Sequence, residues 1–308
     1  MQGRKTNGDT GSSTVLTGAG SAKATSSINR QQLAQVTALY LISILLGVLF
    51  LFPFFWTVST SLKALDELFT FPPTWLPAVP QWQNYPAVLN RVPFLLWTFN
   101  SIYIVILNTL GTVLSASLVA YSFARFRYRW REAIFVITLG TMMLPDQVTM
   151  IPQYILFHKL GWINTHYPLW LPSWFGGGAF AIFLIRQFIM SLPRELDEAA
   201  LIDGANYWRI FWQILMPLCK PVMATIAVIT FIGTWNDFQR PLIYLQLREL
   251  FTLAVGLNYF NTLPEMGGEP MQALLMAASV MMILPVILLF FVAQRYFVQG
   301  IVLSGIKG

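Results

Sequence analysis

Apolar residues along this chain do not form stripes on amphipathic segments. They come as long runs, separated by shorter polar stretches. The first run, residues 36–58, exceeds the roughly 20 residues that a helix needs to cross hydrocarbon. Five more follow, at about residues 99–124, 133–157, 169–189, 221–238 and 273–297. The pattern predicts an all-α membrane protein of six transmembrane helices, occupying residues 35–298. Pro53 and Pro285 fall inside the first and last runs. Leu144, Pro145, Asp146 and Gln147 interrupt the third. Pro172 and Gly176, Gly177 and Gly178 lie near the start of the fourth. Residues 1–34 are rich in Gly, Ser, Thr and Ala and cannot bury a core, so they are expected to be a disordered tail. Residues 299–308 form a short second tail. The first apolar run is too long for the core of a signal peptide and reads as a retained helix.

One polar island stands out between the fourth and fifth runs, at residues 191–221. It holds Arg194, Glu195, Asp197, Glu198, Asp203, Arg209 and Lys220. Its spacing predicts two short helices hinged at a glycine. Pro193 suits a first helical position. Glu195, Asp197 and Glu198 crowd the first turn, where carboxylates meet the positive end of the helix dipole. Gly204 is placed to end that helix in a left-handed turn, and Asn206 to cap the next. Tyr207, Ile210, Phe211, Ile214 and Leu215 then form an apolar stripe, which Met216 and Pro217 are expected to end. On periodicity alone, this hairpin could equally lie on the bilayer surface.

Composition agrees with lipid as the solvent. Hydrophobic residues make up 56% and charged residues 10%, against roughly 45–50% and 25% in soluble domains. The mean hydropathy is +0.60. The net charge of +6 does not point to nucleic acid, because the basic residues sit at the ends of apolar runs. With the N-terminus inside, Arg4, Lys5, Lys23, Arg30, Arg125, Arg127, Arg129, Arg131, Arg186, Arg194, Arg209, Lys220, Arg295 and Lys307 share the cytoplasmic side. Only Lys63, Arg91, Lys159, Arg240 and Arg248 fall outside. This asymmetry predicts cytoplasmic termini and a cytoplasmic island. Cys219 is the single cysteine, so no intrachain disulfide can form. There is no G-x-x-x-x-G-K-[ST] run, hence no P-loop.

Few groups carry chemistry. Asp146 is the one carboxylate well inside an apolar run, where a charge costs about 2.5–3.5 kcal/mol on insertion scales. With Gln147 and Thr149 beside a proline break, it fits a solute pathway. It equally fits a polar network at a kink, or a pair with a charge on another subunit. Trp235, Asn236, Asp237 and Phe238 put an amide and a carboxylate beside aromatics, as a sugar requires. The same residues could anchor a helix end among headgroups through Trp235 and Asp237. Trp75, Trp82 and Tyr85 fit an interfacial aromatic belt or a docking surface. The loop holding Tyr259, Pro264, Gly267 and Gly268 is long enough to reach a partner. His158 and His166 are too far apart to read as a metal site, and no catalytic constellation is apparent.

The island also carries a resemblance. Glu198, Ala199 and Ala200, followed by Asp203, Gly204, Ile214 and Pro217, resemble the EAA loop in membrane subunits of bacterial ABC importers. Leu171-Pro172, the run Phe183 to Phe188 and the run Ser191 to Leu196 resemble the approach to that loop in carbohydrate importers. Ala120 to Arg125, Trp235 to Phe238, Arg240 to Ile243, Arg295 to Gly300 and Lys307-Gly308 are similar to segments of the maltose-type subfamily. Asp146 departs from that pattern, in which a small or neutral residue is expected.

The resemblance implies a permease subunit of an ATP-driven importer of a sugar or related solute, multi-pass in a bacterial cell membrane. It implies a second homologous permease subunit, two ATP-binding cassette subunits and an extracytoplasmic solute-binding protein. ATP and Mg would be bound by the ATPase subunits, with no cofactor or metal on this chain. Glu198, Ala199, Ala200, Asp203, Gly204, Ile214 and Pro217 would form the docking element. Asp146, Gln147, Asn236 and Asp237 are the candidate pathway residues. The competing class is an ion-coupled secondary transporter working alone, which would need several membrane-buried ionisable groups.

Overall fold

The computed structural model describes residues 30–262 and 271–304. The expected N-terminal tail up to residue 29, Pro264, Gly267, Gly268 and Lys307-Gly308 lie outside the described residues, as do the side chains of Tyr259 and of residues 295–300. Chain contacts divide the protein into Met1–Phe52 and Pro53–Gly308.

All regular elements among the described residues are helical. Helix α1 spans Arg30–Ser61 and runs unbroken past Pro53; its apolar side chains up to Phe52 are exposed. The second unit then contains α2 (Asn84–Arg91), α3 (Phe94–Arg125), α4 (Arg131–Gly140) and α5 (Asp146–Lys159). Two short turns, Tyr167–Trp170 and Leu171–Trp174, lead to α6 (Ala179–Ser191) and α7 (Glu195–Ile202). Helices α8 (Tyr207–Leu218) and α9 (Lys220–Trp235) follow, then α10 (Gln239–Tyr244), α11 (Leu253–Thr262) and α12 (Gln272–Ser304). Among the described residues, four stretches are long and apolar enough to cross a membrane: Gln35–Ser61, Phe94–Arg125, Tyr167–Ser191 and Gln272–Gln294. The pairs α4 with α5 and α8 with α9 each pass that test only together, and they bend by 101° and 75°. Counting each bent pair as one span gives the six expected from the apolar runs.

Helix α3 is the axis of the second unit and packs against α6 and α9. Lipid is as apolar as leucine, so helices gain little by merely hiding side chains from it. Close approach of small residues has to hold them together. Ala116, Ala120 and Ala124 recur one turn apart on α3, and all are buried. They pack in one cluster with Ile182, Ile185 and Ile189 of α6, Ile210, Phe211 and Leu215 of α8, and Ile226 of α9. A second cluster gathers Val88, Trp97, Val105, Trp235, Leu253, Phe260, Ala277 and Ala278. Trp97 lies against Gly256, leaving no room there for a side chain. Its indole N–H donates to the Arg248 carbonyl at 2.8 Å.

The breaks have local causes. Pro145 caps α5 in an extended conformation (ψ 136°), and prolines bias the residue before them away from helix. Asp146, expected inside a span, therefore opens a new helix, with a side chain 83% exposed. Gly176, Gly177 and Gly178 all have positive φ, at 119°, 69° and 88°, and turn the chain into α6.

Helix α8 does not stop at Met216-Pro217 as expected but continues to Leu218. Pro217 has no N–H for the Gln213 carbonyl, and residues 210–215 widen into a π-helical stretch instead. Pro221 in turn leaves the Pro217 carbonyl without its donor, and the 75° bend falls between the two prolines. Pro193 precedes α7 by two residues rather than opening it, since the first helical bonds go to the Arg194 carbonyl.

Gly177 separates packing from strain. A Cβ there would strike the Thr112 carbonyl oxygen and lie 2.8 Å from the Ala116 Cβ, whereas one on Gly178 meets nothing within 4 Å. Gly178→Ala is expected to cost about 1–2 kcal/mol from its left-handed φ alone. Gly177→Ala is expected to cost about 1–3 kcal/mol more. Denaturant unfolding of the purified protein in detergent measures both; equal losses would mean that the α3 contact is absent.

Candidate functional site

Two places in the second unit hold the site residues expected from sequence. The first is a cavity of about 410 Å³ between α3, α5, α9 and α10. Its wall on α3 is Ser101, Ile104 and Asn108, and its wall on α9 is Thr230, Gly233 and Thr234, with Asp237 just beyond. Both sets recur at intervals of three and four, so each is one stripe of its helix. Asn108 donates to the Thr234 hydroxyl at 2.6 Å and ties the two stripes together. Asp146, Thr149 and Gln153 line the side contributed by α5, and Arg240 and Tyr244 that of α10.

Arg240 stands between the two carboxylates. Its guanidinium lies 3.6 Å from Asp146 and 3.9 Å from Asp237. The Arg240 backbone N–H also donates to the Asp237 carboxylate at 3.3 Å. Asp146 sits at the start of α5, where the helix dipole favours a negative charge. Exposed pairs of this length contribute about 0–1 kcal/mol to stability. Carboxylates, guanidinium, hydroxyls and amide are therefore available to exchange partners with a polyhydroxylated solute.

Of the four pathway residues expected from sequence, Asp146 and Asp237 meet in this cavity and Gln147 and Asn236 do not line it. Gln147 is exposed on α5. The Asn236 amide donates to the Ile232 carbonyl at 3.0 Å and completes the end of α9. Trp235 is not a headgroup anchor: it is buried, stacks on Phe231 and donates to the Met282 carbonyl at 3.2 Å. Arg240, Asn108 and Thr234 were not identified as site residues from sequence. Their signal is the polar positions 101, 108, 230, 234 and 237 at helical spacing within apolar runs.

The second place is the hinged segment at residues 191–221. Gly204 has φ +80°. Its N–H bonds the Leu201 carbonyl at 3.1 Å, and the Ala205 N–H bonds the Ala200 carbonyl at 2.9 Å. This pair of bonds is a Schellman C-cap. The Asn206 side chain accepts from the Arg209 N–H at 2.8 Å, an N-cap for α8. Ala200 is buried against the first core cluster, whereas Glu198, Ala199, Asp203, Gly204 and Pro217 are exposed. Ile210, Phe211 and Leu215 are buried and Ile214 is partly so. Tyr207, expected in the same stripe, is 55% exposed; with Ile202 at 86% and Trp208 at 59% it gives this segment a large apolar surface.

A guanidinium adds a polar clamp between the segment and α3, beside the Tyr121 hydroxyl that reaches the Tyr207 carbonyl at 3.4 Å. Arg125, at the end of that helix, lies with Nε 2.6 Å from the Asp197 carboxylate. It also donates to the Leu192 and Pro193 carbonyls at 3.3 and 3.4 Å. Burial pushes the Asp197 carboxyl above its ordinary value of 3.8, against the pull of Arg125 and then Arg194.

The comparisons with known proteins agree with this architecture. Residues 113–303 match the family model described as binding-protein-dependent transport system inner membrane component. The chain belongs to this family. It is a multi-pass inner membrane permease subunit, a transport component and not an enzyme. It is 34% identical to the arabinooligosaccharides transport system permease protein AraQ of Bacillus subtilis, over 88% of this chain and 95% of that protein. It is also 34% identical to the sn-glycerol-3-phosphate transport system permease protein UgpE of Yersinia enterocolitica, over 85% and 94%. Among solved structures, it resembles a chain of a bacterial ABC transporter involved in the import of the acidic polysaccharide alginate. That match has a TM-score of 0.77 and 26% identity, over 87% of this chain and 98% of the other. The stand-alone ion-coupled transporter is thereby set aside.

Truncation of Arg125 and neutralisation of Asp197 should differ. Arg125→Ala strands a partly buried carboxylate and two carbonyls in the permease and is expected to cost about 2–4 kcal/mol. The raised Asp197 carboxyl is an ionisation that opposes folding, so its favourable contribution is present below the ordinary value and lost as pH rises through the folded one. Asp197→Asn is therefore expected to cost under about 1 kcal/mol and to remove one acid-favoured component of stability. Thermal unfolding of both variants across mildly acidic pH checks this. A loss in Asp197→Asn as large as in Arg125→Ala would contradict it.

Proposed function

We propose that this permease forms part of the pathway of an ATP-driven importer for polyhydroxylated solutes of the oligosaccharide class. The observation that carries this reading is the cavity with Asp146, Asp237 and Arg240 around one space, backed by the hydroxyls of Thr149, Thr230 and Thr234. Sugar hydroxyls pair with carboxylates as donors and with a guanidinium as acceptors. The arabinooligosaccharide and alginate systems of its relatives handle solutes of this class, and the sn-glycerol-3-phosphate system handles a smaller polyol phosphate.

The chain works with a second homologous permease subunit, two ATP-binding cassette subunits that carry ATP and Mg, and an extracytoplasmic solute-binding protein. Both termini and the hinged segment face the cytoplasm, the side that holds most of the arginines. Glu198, Ala199, Asp203 and Gly204 present the docking element. Ala200 and Ile214 seat it on the core, and Pro217 together with Pro221 sets the bend that separates it from α9. Arg125 ties the element to α3, so movement of the ATPase pair reaches the helix that lines the cavity.

Two variants test the two halves of this reading. Asp146→Asn removes only weak exposed contacts and is expected to leave unfolding within about 1 kcal/mol of wild type, while solute transport loses about tenfold in affinity or rate. Unchanged transport would take Asp146 out of the pathway. Gly204→Val faces open space in the isolated chain, so its cost is the left-handed strain, about 1–2 kcal/mol. The expected result is normal membrane insertion with the ATPase detached or uncoupled, read by copurification and by solute-stimulated ATP hydrolysis. Wild-type assembly and transport would remove this turn from the docking role.

A further inference from the structure

A third polar feature lies apart from the pathway and shares only Arg194 with the hinged segment. A groove of about 440 Å³ runs where α3 passes into α4, lined by Arg127, Arg129, Arg131, Arg194, Glu132 and Ala133. Four guanidinium groups and one carboxylate border it, and that carboxylate is already engaged. Arg131 donates to it at 2.9 Å, and Arg186 reaches both its oxygens at 3.4 Å. Arg127, Arg129 and Arg194 have no ion pair among the described residues; Arg194 acts on Asp197 only as a more distant charge. The groove therefore holds an excess of positive charge beside the N-terminus of the ten-residue α4, whose dipole adds to it.

The other end of the groove is apolar. Ala133 lines it, and Ile137 follows one turn along the same face of α4, 69% exposed; Val136 is 63% exposed. Trp130, between Arg129 and Arg131 in the chain, is 62% exposed, with the Arg129 guanidinium 5.5 Å from its ring. Basic groups, then an amphipathic aromatic, then a lipid-facing apolar track reproduce the order of a phospholipid from phosphate to acyl chain.

We propose that this groove binds the headgroup of an anionic phospholipid, with the phosphate between Arg127, Arg129 and Arg194 and an acyl chain along Val136 and Ile137. A free phosphate would use the guanidinium groups but not the apolar track. An acidic surface of a protein partner would use the arginines without discriminating among lipids. The lipid reading accounts for both ends of the groove.

The test uses the assembled transporter in nanodiscs containing phosphatidylglycerol and phosphatidylcholine, with a photoactivatable phosphatidylglycerol as probe. The expected result is crosslinking at residues 127–137 and preferential retention of phosphatidylglycerol in native mass spectrometry. Retention should fall about fivefold for each arginine removed in Arg127→Gln and Arg129→Gln, and stay unchanged in Lys159→Gln. Inorganic phosphate at millimolar concentration should not displace the probe. Three results would overturn the proposal: displacement by phosphate, undiminished retention in the double variant, or loss of ATPase copurification with lipid preference intact. If the double variant fails to assemble, the wild-type crosslink map decides, since no adduct at residues 127–137 sinks the site.

Discussion

The structure depends on how closely α3 can be approached. In lipid, a leucine gains little by leaving hydrocarbon for another helix, so contact distance has to supply the cohesion. Ala116, Ala120 and Ala124 keep one face of α3 low, and Gly177 brings the start of α6 onto the backbone at Thr112. Everything functional hangs on this rod. One part of it carries the polar stripe of the cavity, and its last residue, Arg125, carries the clamp on the hinged segment. A helix free to slide between loosely packed neighbours would transmit nothing from one to the other.

Much of this was legible in the sequence because lipid simplifies the code. Six apolar runs read as spans without knowledge of tertiary contacts, since length and the absence of charge decide the matter. The hinge at Gly204 was equally legible: a Schellman turn needs a residue that tolerates positive φ, and its cap bonds are local. What resisted reading was non-local. Asp146 looked like a charge within a span, because sequence shows a proline break but not that the two halves bend by 101° and leave the side chain exposed. Trp235 looked interfacial, because its burial is decided by α12, distant in sequence. Arg240 was counted as one charge of an outer loop, and only the fold brings it between two carboxylates.

The two prolines around Cys219 illustrate a different limit. Pro217 was expected to stop a helix, which is the usual consequence of a missing N–H. Here the chain widens over residues 210–215 and stays helical one residue past Pro217, to Leu218, and it bends at Cys219, between the two prolines that each leave a carbonyl without its donor. The outcome follows from the pair and not from either proline alone. It lets the hinged segment stay helical up to the bend while α9 leaves at a steep angle.

The charges of this permease divide by burial, and the division matches what each must do. Arg125 and Asp197 have side chains only 6% and 16% exposed, and the guanidinium is spread over a carboxylate and two carbonyls. Removing one partner leaves the others unsatisfied in a poor solvent, so this contact is costly to open. Arg240, Asp146 and Asp237 are looser, at 3.6 and 3.9 Å, with Arg240 and Asp146 more than half exposed. Such pairs hold each other weakly enough for water or a solute hydroxyl to replace either partner. In the proposed function, a joint that carries force and a site that must release its cargo would thus be built from the same ion types, distinguished by their access to water.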